Sequence, residues 1–350
     1  MKGDHAMKKR LFARMPGMTL AVMLTLAGVG ALGFGPAAQA AGEADVLVAL
    51  NPAAGELPEG ITVPLSGPQR NRIFFTFVFR VQVLRVNGSS YEPWATIADP
   101  TNRLGLGLAT DDDGHIYWAI GALGPGSSPP GIYKVPPHGG MATLLTPPDF
   151  PAALPNGIDV IGNKAYWTDA IMGTVNVTDI RTGATHLWSD DPLLFGNPVA
   201  CGGGPPFPLG ANGISHHHHT IYVMNSNYGR VLRIPIKSNG DAGTVGVVAE
   251  SCADLGGLDG VATDRNGTLL ATRQPTSSIV RIWPHNGRTK VVYAGAPLDG
   301  PASDFVWNAP DGKRKLLITN STAGSPAGGP GPSIASINLG EADDDDDGDD

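Results

Sequence analysis

Beyond residue 40 the chain has no stretch long and apolar enough to span a bilayer, so the mature protein is expected to be soluble. It has no basic stripe, which removes nucleic acid as a partner. It lacks any sustained 3.6-residue apolar period, which disfavours an α/β barrel. Cysteine occurs only twice, as Cys201 and Cys252. Glycine and proline, by contrast, are plentiful at 48 and 31 residues. They recur with a period, which argues against a disordered chain.

The first forty residues read as a signal peptide. Lys8, Lys9, Arg10 and Arg14 precede an apolar, glycine-spaced run from Met18 to Gly35, and Ala38-Gln39-Ala40 gives a cleavage pattern. A membrane anchor is the competing reading. Three glycines between Gly28 and Gly33 and the small residues after them argue against it. The expected location is secreted or periplasmic. The formal charge of −8 becomes −12 once residues 1–40 are removed. Residues 341–350 supply eight of the remaining acids, so the core of residues 41–340 is only about −4. The acidic tail reads as a solvated, disordered end. In an exported chain two cysteines suggest a Cys201–Cys252 disulfide, with two free thiols as the alternative. Closing so long a loop contributes about 4 kcal/mol in the chain-entropy model.

Six units lie along residues 41–340. They open at Leu57-Pro-Glu-Gly-Ile-Thr-Val, Gly105-Leu-Gly-Leu-Ala-Thr, Leu154-Pro-Asn-Gly-Ile-Asp-Val, Gly210-Ala-Asn-Gly-Ile-Ser, Leu258-Asp-Gly-Val-Ala-Thr and Ala302-Ser-Asp-Phe-Val-Trp. Each runs from a short apolar stretch through a polar turn, such as Asp112-Asp113-Gly114 or Arg265-Asn266-Gly267, into further alternating strands. A spacing of about 44 to 55 residues is that of propeller blades. The sixth unit stops after a third strand, from Ser333 to Leu339, while Asp45 to Leu50 is a strand candidate ahead of the first. The fold expected is all-β: one six-bladed β-propeller, closed by the N-terminal strand completing the last blade.

Equivalent positions at the starts of the innermost strands converge on one mouth of the central channel. Aligning the x-Gly pairs, and counting eight back from the turn glycines, gives the series Glu59, Leu106, Asn156, Asn212, Asp259 and Asp304. Five of the six carry oxygen, three of them as carboxylates. Crowded carboxylates repel unless a cation sits between them. An all-oxygen set without histidine favours a hard ion, most simply Ca²⁺, with Mg²⁺, Mn²⁺ or Zn²⁺ as the other divalent candidates. The competing reading is that Asx-Gly and Glu-Gly merely shape a turn.

The LPEGITV stretch, the NGIS segment with TIYV and GRVLRI beyond it, and LDGVATDRNGTLLAT resemble the senescence-marker-protein/gluconolactonase/luciferin-regenerating-enzyme family of six-bladed propellers. The resemblance covers nearly the whole mature chain. It implies a divalent cation held by Glu59, Asn212 and Asp259, with Asn156 near both metal and substrate, and Asp259 as a general base. Lactonases of that family place an arginine two residues before the third-unit asparagine, where this chain has Leu154. No match to the histidine pair of the related paraoxonases is found.

The function expected is metal-dependent hydrolysis of a small lactone or ester by a monomer, with Asp259 or Asp304 activating water. Asn225, Tyr228, Arg273 and Gln274 lie in loops on the same face and are candidates for orienting substrate. The alternative is a non-catalytic propeller that binds a ligand or protein around a structural ion. Carbon–carbon bond formation of the strictosidine synthase kind needs a late-blade glutamate, and none is evident. His216 to His219, His115 and Asp111 to Asp113 fall in turns on the opposite face and read as exposed turn residues.

Overall fold

The computed structural model describes residues 44–201, 207–323 and 328–340, so the expected signal peptide and acidic tail lie outside the described residues. Six sheets are arranged as the blades of a β-propeller. Their inner strands are Pro58–Thr62, Arg103–Thr110, Pro155–Ile161, Ala211–His217, Leu258–Thr263 and Pro301–Asn308. Each blade then steps outward through antiparallel neighbours. In blade 6 the outermost strand is Ala44–Ala49, antiparallel to Ser333–Asn338. The N-terminal strand therefore closes the ring as the repeat count predicts. Gly140–Met141, in the connection between the third and fourth strands of blade 2, also pairs in parallel with the outer strand of blade 1.

The core is divided into six apolar clusters, one between each pair of adjacent blades. Strand alternation produces this. Phe75 faces blade 6 while Phe74 faces blade 2, and Trp118 faces blade 1 while Tyr117 faces blade 3. Second strands such as Ile116–Ala122 are thus buried on both faces, which is why they read as continuous apolar runs.

Inner strands meet backbone to backbone. A Cβ added to Gly60, Gly107, Gly157, Gly213 or Gly260 would fall inside 3.0 Å of the neighbouring inner strand's backbone. Glycine therefore occupies these positions for close approach. A threonine on the second strand locks each contact in four blades. Thr76, Thr168, Thr272 and Thr319 donate to the carbonyls of Leu106, Asn212, Ala302 and Glu59, at 2.5–2.9 Å. Each also accepts the amide of Gly60, Gly157, Gly260 or Ser303 on its own blade. The Thr319 bond joins blade 6 to blade 1 and so completes the circle.

Thr319→Val keeps the shape of this clasp but strands the Ser303 amide and the Glu59 carbonyl. Chemical denaturation should show a loss of about 1–3 kcal/mol. Fluorescence and circular dichroism transitions should remain coincident, because only the closure is weakened.

Candidate functional site

Every inner strand is bulged at one place, with a register shift against its second strand. In blades 1 to 5 the bulge holds the residue pairs Glu59-Gly60, Leu106-Gly107, Asn156-Gly157, Asn212-Gly213 and Asp259-Gly260. A bulge re-aims a side chain away from the regular pleat, and here it marks the rim of the channel. Close approach of the glycines gathers these rim residues, although they lie up to 200 positions apart in sequence.

Blade 6 departs from the series. Its bulge holds Ala302 between the paired Pro301 and Ser303. Ser303 sits where the others have glycine, its amide on Thr319. Ala302 therefore takes the rim position, and Asp304 lies two residues farther along the strand. Counting back from the turn glycine places Asp304 on the rim because it assumes equal hairpins. The inner strand of blade 6 has 8 residues, against 6 in blade 5, and the count lands two residues too deep.

Glu59, Asn156, Asn212, Asp259 and Asp304 all line one central cavity of about 370 Å³, walled by the six inner strands. Leu106 does not line it; its side chain turns into the apolar cluster between blades 2 and 3. Asn212, Asp259 and Asp304 are 4%, 7% and 6% exposed. No ion pair among the described residues includes Glu59, Asp259 or Asp304. Burial raises the carboxyl of Glu59 well above its ordinary range, and the charge of Asp259 adds to the rise. Asp304 is raised in the same way, by burial first and then by Asp259. Burial also lifts Asp259, while a hydrogen bond from Asn212 opposes the rise.

The orientation of Asn212 follows from its neighbours. Ser226 spends its hydroxyl hydrogen on the Leu258 carbonyl, so its oxygen is left to accept. The Asn212 amide nitrogen donates to that oxygen at 2.9 Å and to Asp259 Oδ1 at 2.7 Å. This leaves Asn212 Oδ1 buried without a hydrogen-bond donor, as are both carboxylate oxygens of Asp304. Gln274 donates to Asp259 Oδ2, so both oxygens of Asp259 are held by amides. Buried acceptors without donors, beside carboxylates without counter-charges, form an oxygen set that suits a hard cation.

The other expected residues divide. Cys201 and Cys252 form a disulfide with Cα atoms 5.1 Å apart, joining the segments that lead into blades 4 and 5. Arg273 grips that same segment through the carbonyls of Gly256 and Ala253. Asn225 donates to the carbonyls of Leu193 and Phe195. Both side chains hold backbone, while Tyr228 is half-buried with Arg230 over its ring at 4.6 Å. His216 and His217 belong to the inner strand of blade 4, and only His218 and His219 make the turn. His216 lines the channel wall and pairs with Asp159 of blade 3 at 2.6 Å. The histidine run is therefore not wholly an exposed turn. Asp111, Asp113 and His115 place ligand atoms within 4.8 Å of one another. Asp111 there accepts from the amides of Asp113 and His115 and from Tyr117, which builds the turn. Ser226, which sets the Asn212 amide, has no signal in the sequence beyond its place in a loop.

No protein-family model and no curated protein matches this sequence. Solved structures with the same architecture include a gluconolactonase from Xanthomonas campestris, at 15% identity and TM-score 0.59 over 87% of this chain and 99% of that one. The calcium-binding protein regucalcin from Agrobacterium tumefaciens matches at 16% identity and TM-score 0.58, over 81% and 90%. An auxiliary nutrient binding protein from Bacteroides thetaiotaomicron matches at 12% identity and TM-score 0.56, over 81% and 69%. At these identities the likeness is one of fold, and it spans proteins named for catalysis and for binding.

Carboxyls raised in the folded state hold protons that the unfolded chain has already released above about pH 4. Their contribution is complete below that pH and is lost as pH rises through the folded values. In chelator, the melting temperature should therefore fall between pH 4 and neutrality, and Asp304→Asn should flatten the fall. Millimolar Ca²⁺ at pH 7 should restore the loss in the wild type. A melting temperature independent of both pH and Ca²⁺ would contradict this electrostatic account.

Proposed function

We propose that the protein is a divalent-cation-dependent hydrolase of lactones or esters, exported from the cytoplasm and acting as a monomer on a small molecule. One observation carries this reading. Glu59, Asn212, Asp259 and Asp304 gather at a single channel with buried acceptor oxygens and no basic partner. The disulfide suits an oxidising compartment, where such bonds persist. Among the described residues no helix is long and apolar enough to cross a membrane.

Glu59, Asn212 and Asp259 are the residues that hold the cation, with Asn156 beside them in the wall. A bound divalent ion supplies polarisation of the carbonyl and stabilisation of the developing oxyanion. Asn212 presents Oδ1 because Ser226 and Asp259 occupy its nitrogen. Gln274 and Asn212 together fix the plane of the Asp259 carboxylate. Asp259 remains a candidate base through its unused lone pairs. Asp304, two residues deeper on the same channel wall, is the second candidate, its carboxylate facing only the backbone amides of Ala262 and of Asp304 itself. It takes a proton from water in the channel as the oxygen of that water joins the acyl carbon. The carbon–alkoxide bond then breaks, and the proton passes to the departing oxygen. Asn156 lines the cavity and can meet substrate, while Asn225 and Arg273 act through the loops they hold.

A second reading has an observation of its own. The rim residues Asn212 and Asp259 are nearly closed to solvent, as suits a structural ion in a binding propeller. Asp304→Asn separates the two. A hydrolase loses turnover of a lactone and aryl-ester panel, by roughly 100-fold or more, while calorimetric Ca²⁺ affinity persists. Glu59→Gln and Asp259→Asn should each abolish both properties. Normal chelator-sensitive turnover by Asp259→Asn would sink the proposal.

A further inference from the structure

The face of the propeller opposite the rim carries a cationic cluster that the hydrolase reading does not use. It lies on the two outer strands of blade 5, Ser278–Trp283 and Arg288–Ala294. Arg281 stands directly opposite Lys290, and Trp283 opposite Arg288. The guanidinium carbons of Arg281 and Arg288 lie 6.0 and 5.0 Å from the centre of the Trp283 ring. Three cations thus gather about one indole. Strand alternation fixes where they point. Val280 and Ile282 belong to the core between blades 4 and 5, whereas Ile279 belongs to the core between blades 5 and 6. Arg281 and Trp283 share the side of Ile279 and therefore face blade 6.

The cluster is uncompensated. No salt bridge among the described residues includes Arg281, Arg288 or Lys290. Asp264 of blade 5 is already paired with Arg314 of blade 6 at 3.3 Å. Arg281 Nε is buried without an acceptor. Like charges directly opposite on paired strands repel, and a buried donor without a partner has lost its hydration for nothing. The indole offsets only part of this. An anion is what the arrangement lacks.

The chain itself delivers one to this place. The third strand of blade 6, Ser333–Asn338, runs away from the rim, and Leu339 beyond it packs into the core between blades 5 and 6. The Leu339 amide donates to the Arg314 carbonyl, and Arg314 donates back to the Leu339 carbonyl at 3.4 Å. The described chain thus ends at Gly340 beside the blade that bears the cluster. Residues 341–350 follow directly, and eight of these ten are acidic. Ten residues can span up to about 33 Å, whereas neighbouring strands lie only about 5 Å apart, so the cluster is within reach. Tethering sets the effective concentration of these carboxylates on the order of millimolar.

We propose that residues 341–350 seat on the face formed by Arg281, Trp283, Arg288 and Lys290, in the cleft between blades 5 and 6. The carboxylates pair with the three cations, in place of the solvated end that composition alone suggests. The segment then straps blade 5 to blade 6 beside the closing N-terminal strand, and it covers the cluster against other polyanions. The contact is electrostatic and so is weakened by salt.

The test uses the full chain in chelator, with a zero-length carbodiimide that joins a carboxylate to a lysine touching it. At low salt, residues 341–350 should cross-link to Lys290 at least about fivefold more than to Lys134, Lys164 or Lys237 of blades 2, 3 and 4, and salt at about 0.5 M should remove the preference. Mixing isotope-labelled and unlabelled chains should show the links to lie within one molecule. Arg288→Glu, at an exposed position, should weaken the Lys290 link, and Arg288→Lys should keep it. Replacing Asp343 through Asp347 by Asn should lower the melting temperature by about 2–4 °C at low salt, after which Arg288→Glu should destabilise no further. That same replacement should tighten heparin binding at least about tenfold, because the cluster is uncovered. Lys290 linked no more than the distant lysines overturns the proposal. Links found only between molecules assign the segment to a second copy and overturn it as well. Equal heparin affinity with and without the five carboxylates shows an open face, which also overturns it.

Discussion

Everything in this molecule depends on how closely the six inner strands approach around the axis. Glycine at one equivalent position in five blades lets backbone meet backbone, and there is no space there for a methyl group. Because the strands abut at that level, the residue just before each glycine is brought to the rim. The threonine clasps use the same geometry to tie one blade's second strand to the next blade's inner strand. One constraint thus supplies both the closure of the ring and the gathering of the site. This couples stability to function: a change that loosens the contact between strands also separates the rim oxygens.

The gathering has a cost, since three buried carboxylates without basic partners oppose folding wherever they are ionised. The structure offsets this locally, with amides from Asn212 and Gln274 on Asp259. Around that point the fold is unusually braced. The Cys201–Cys252 disulfide and the Arg273 grip on Ala253 and Gly256 both fix the segment that enters blade 5.

Much of this was legible in the sequence because a propeller writes its architecture as a period. The x-Gly pairs marked the rim in five blades, and the unpaired strand near Asp45 predicted the closure. Where reading failed, the cause was geometric. Counting back from Gly312 puts Asp304 on the rim, but a longer hairpin shifts it two residues into the channel. Alignment with the Asp-Gly and Asn-Gly turns of other units puts all four histidines in the turn, whereas the strand runs through His217. The turn itself needs only His218 and His219, and Asp159 of the neighbouring blade pairs with His216. That partnership joins residues 57 positions apart and has no local signature. Residue type and face mark Asn225 and Arg273 as substrate-orienting candidates but say nothing of the backbone carbonyls they hold. Irregular loops carry backbone carbonyls that need donors, and these side chains answer that need instead.

Repetition provides equivalent positions, and chemistry arises where the equivalents diverge. Blade 2 diverges most consistently. Its rim residue is Leu106, and opposite the bulge its second strand carries Ala119 where four other blades carry the clasp threonine. Two polar groups of the repeat are thus missing from the same blade, and the space between them is filled by the cluster that includes Leu154 and Trp167. Blade 4 loses the threonine as well, having Met224 there, yet it keeps Asn212 on the rim and orients it through Ser226. Losing a clasp therefore does not by itself make a sector apolar. In blade 2 rim and clasp changed together, which keeps the packing between blades while removing both side-chain oxygens that the repeat places there.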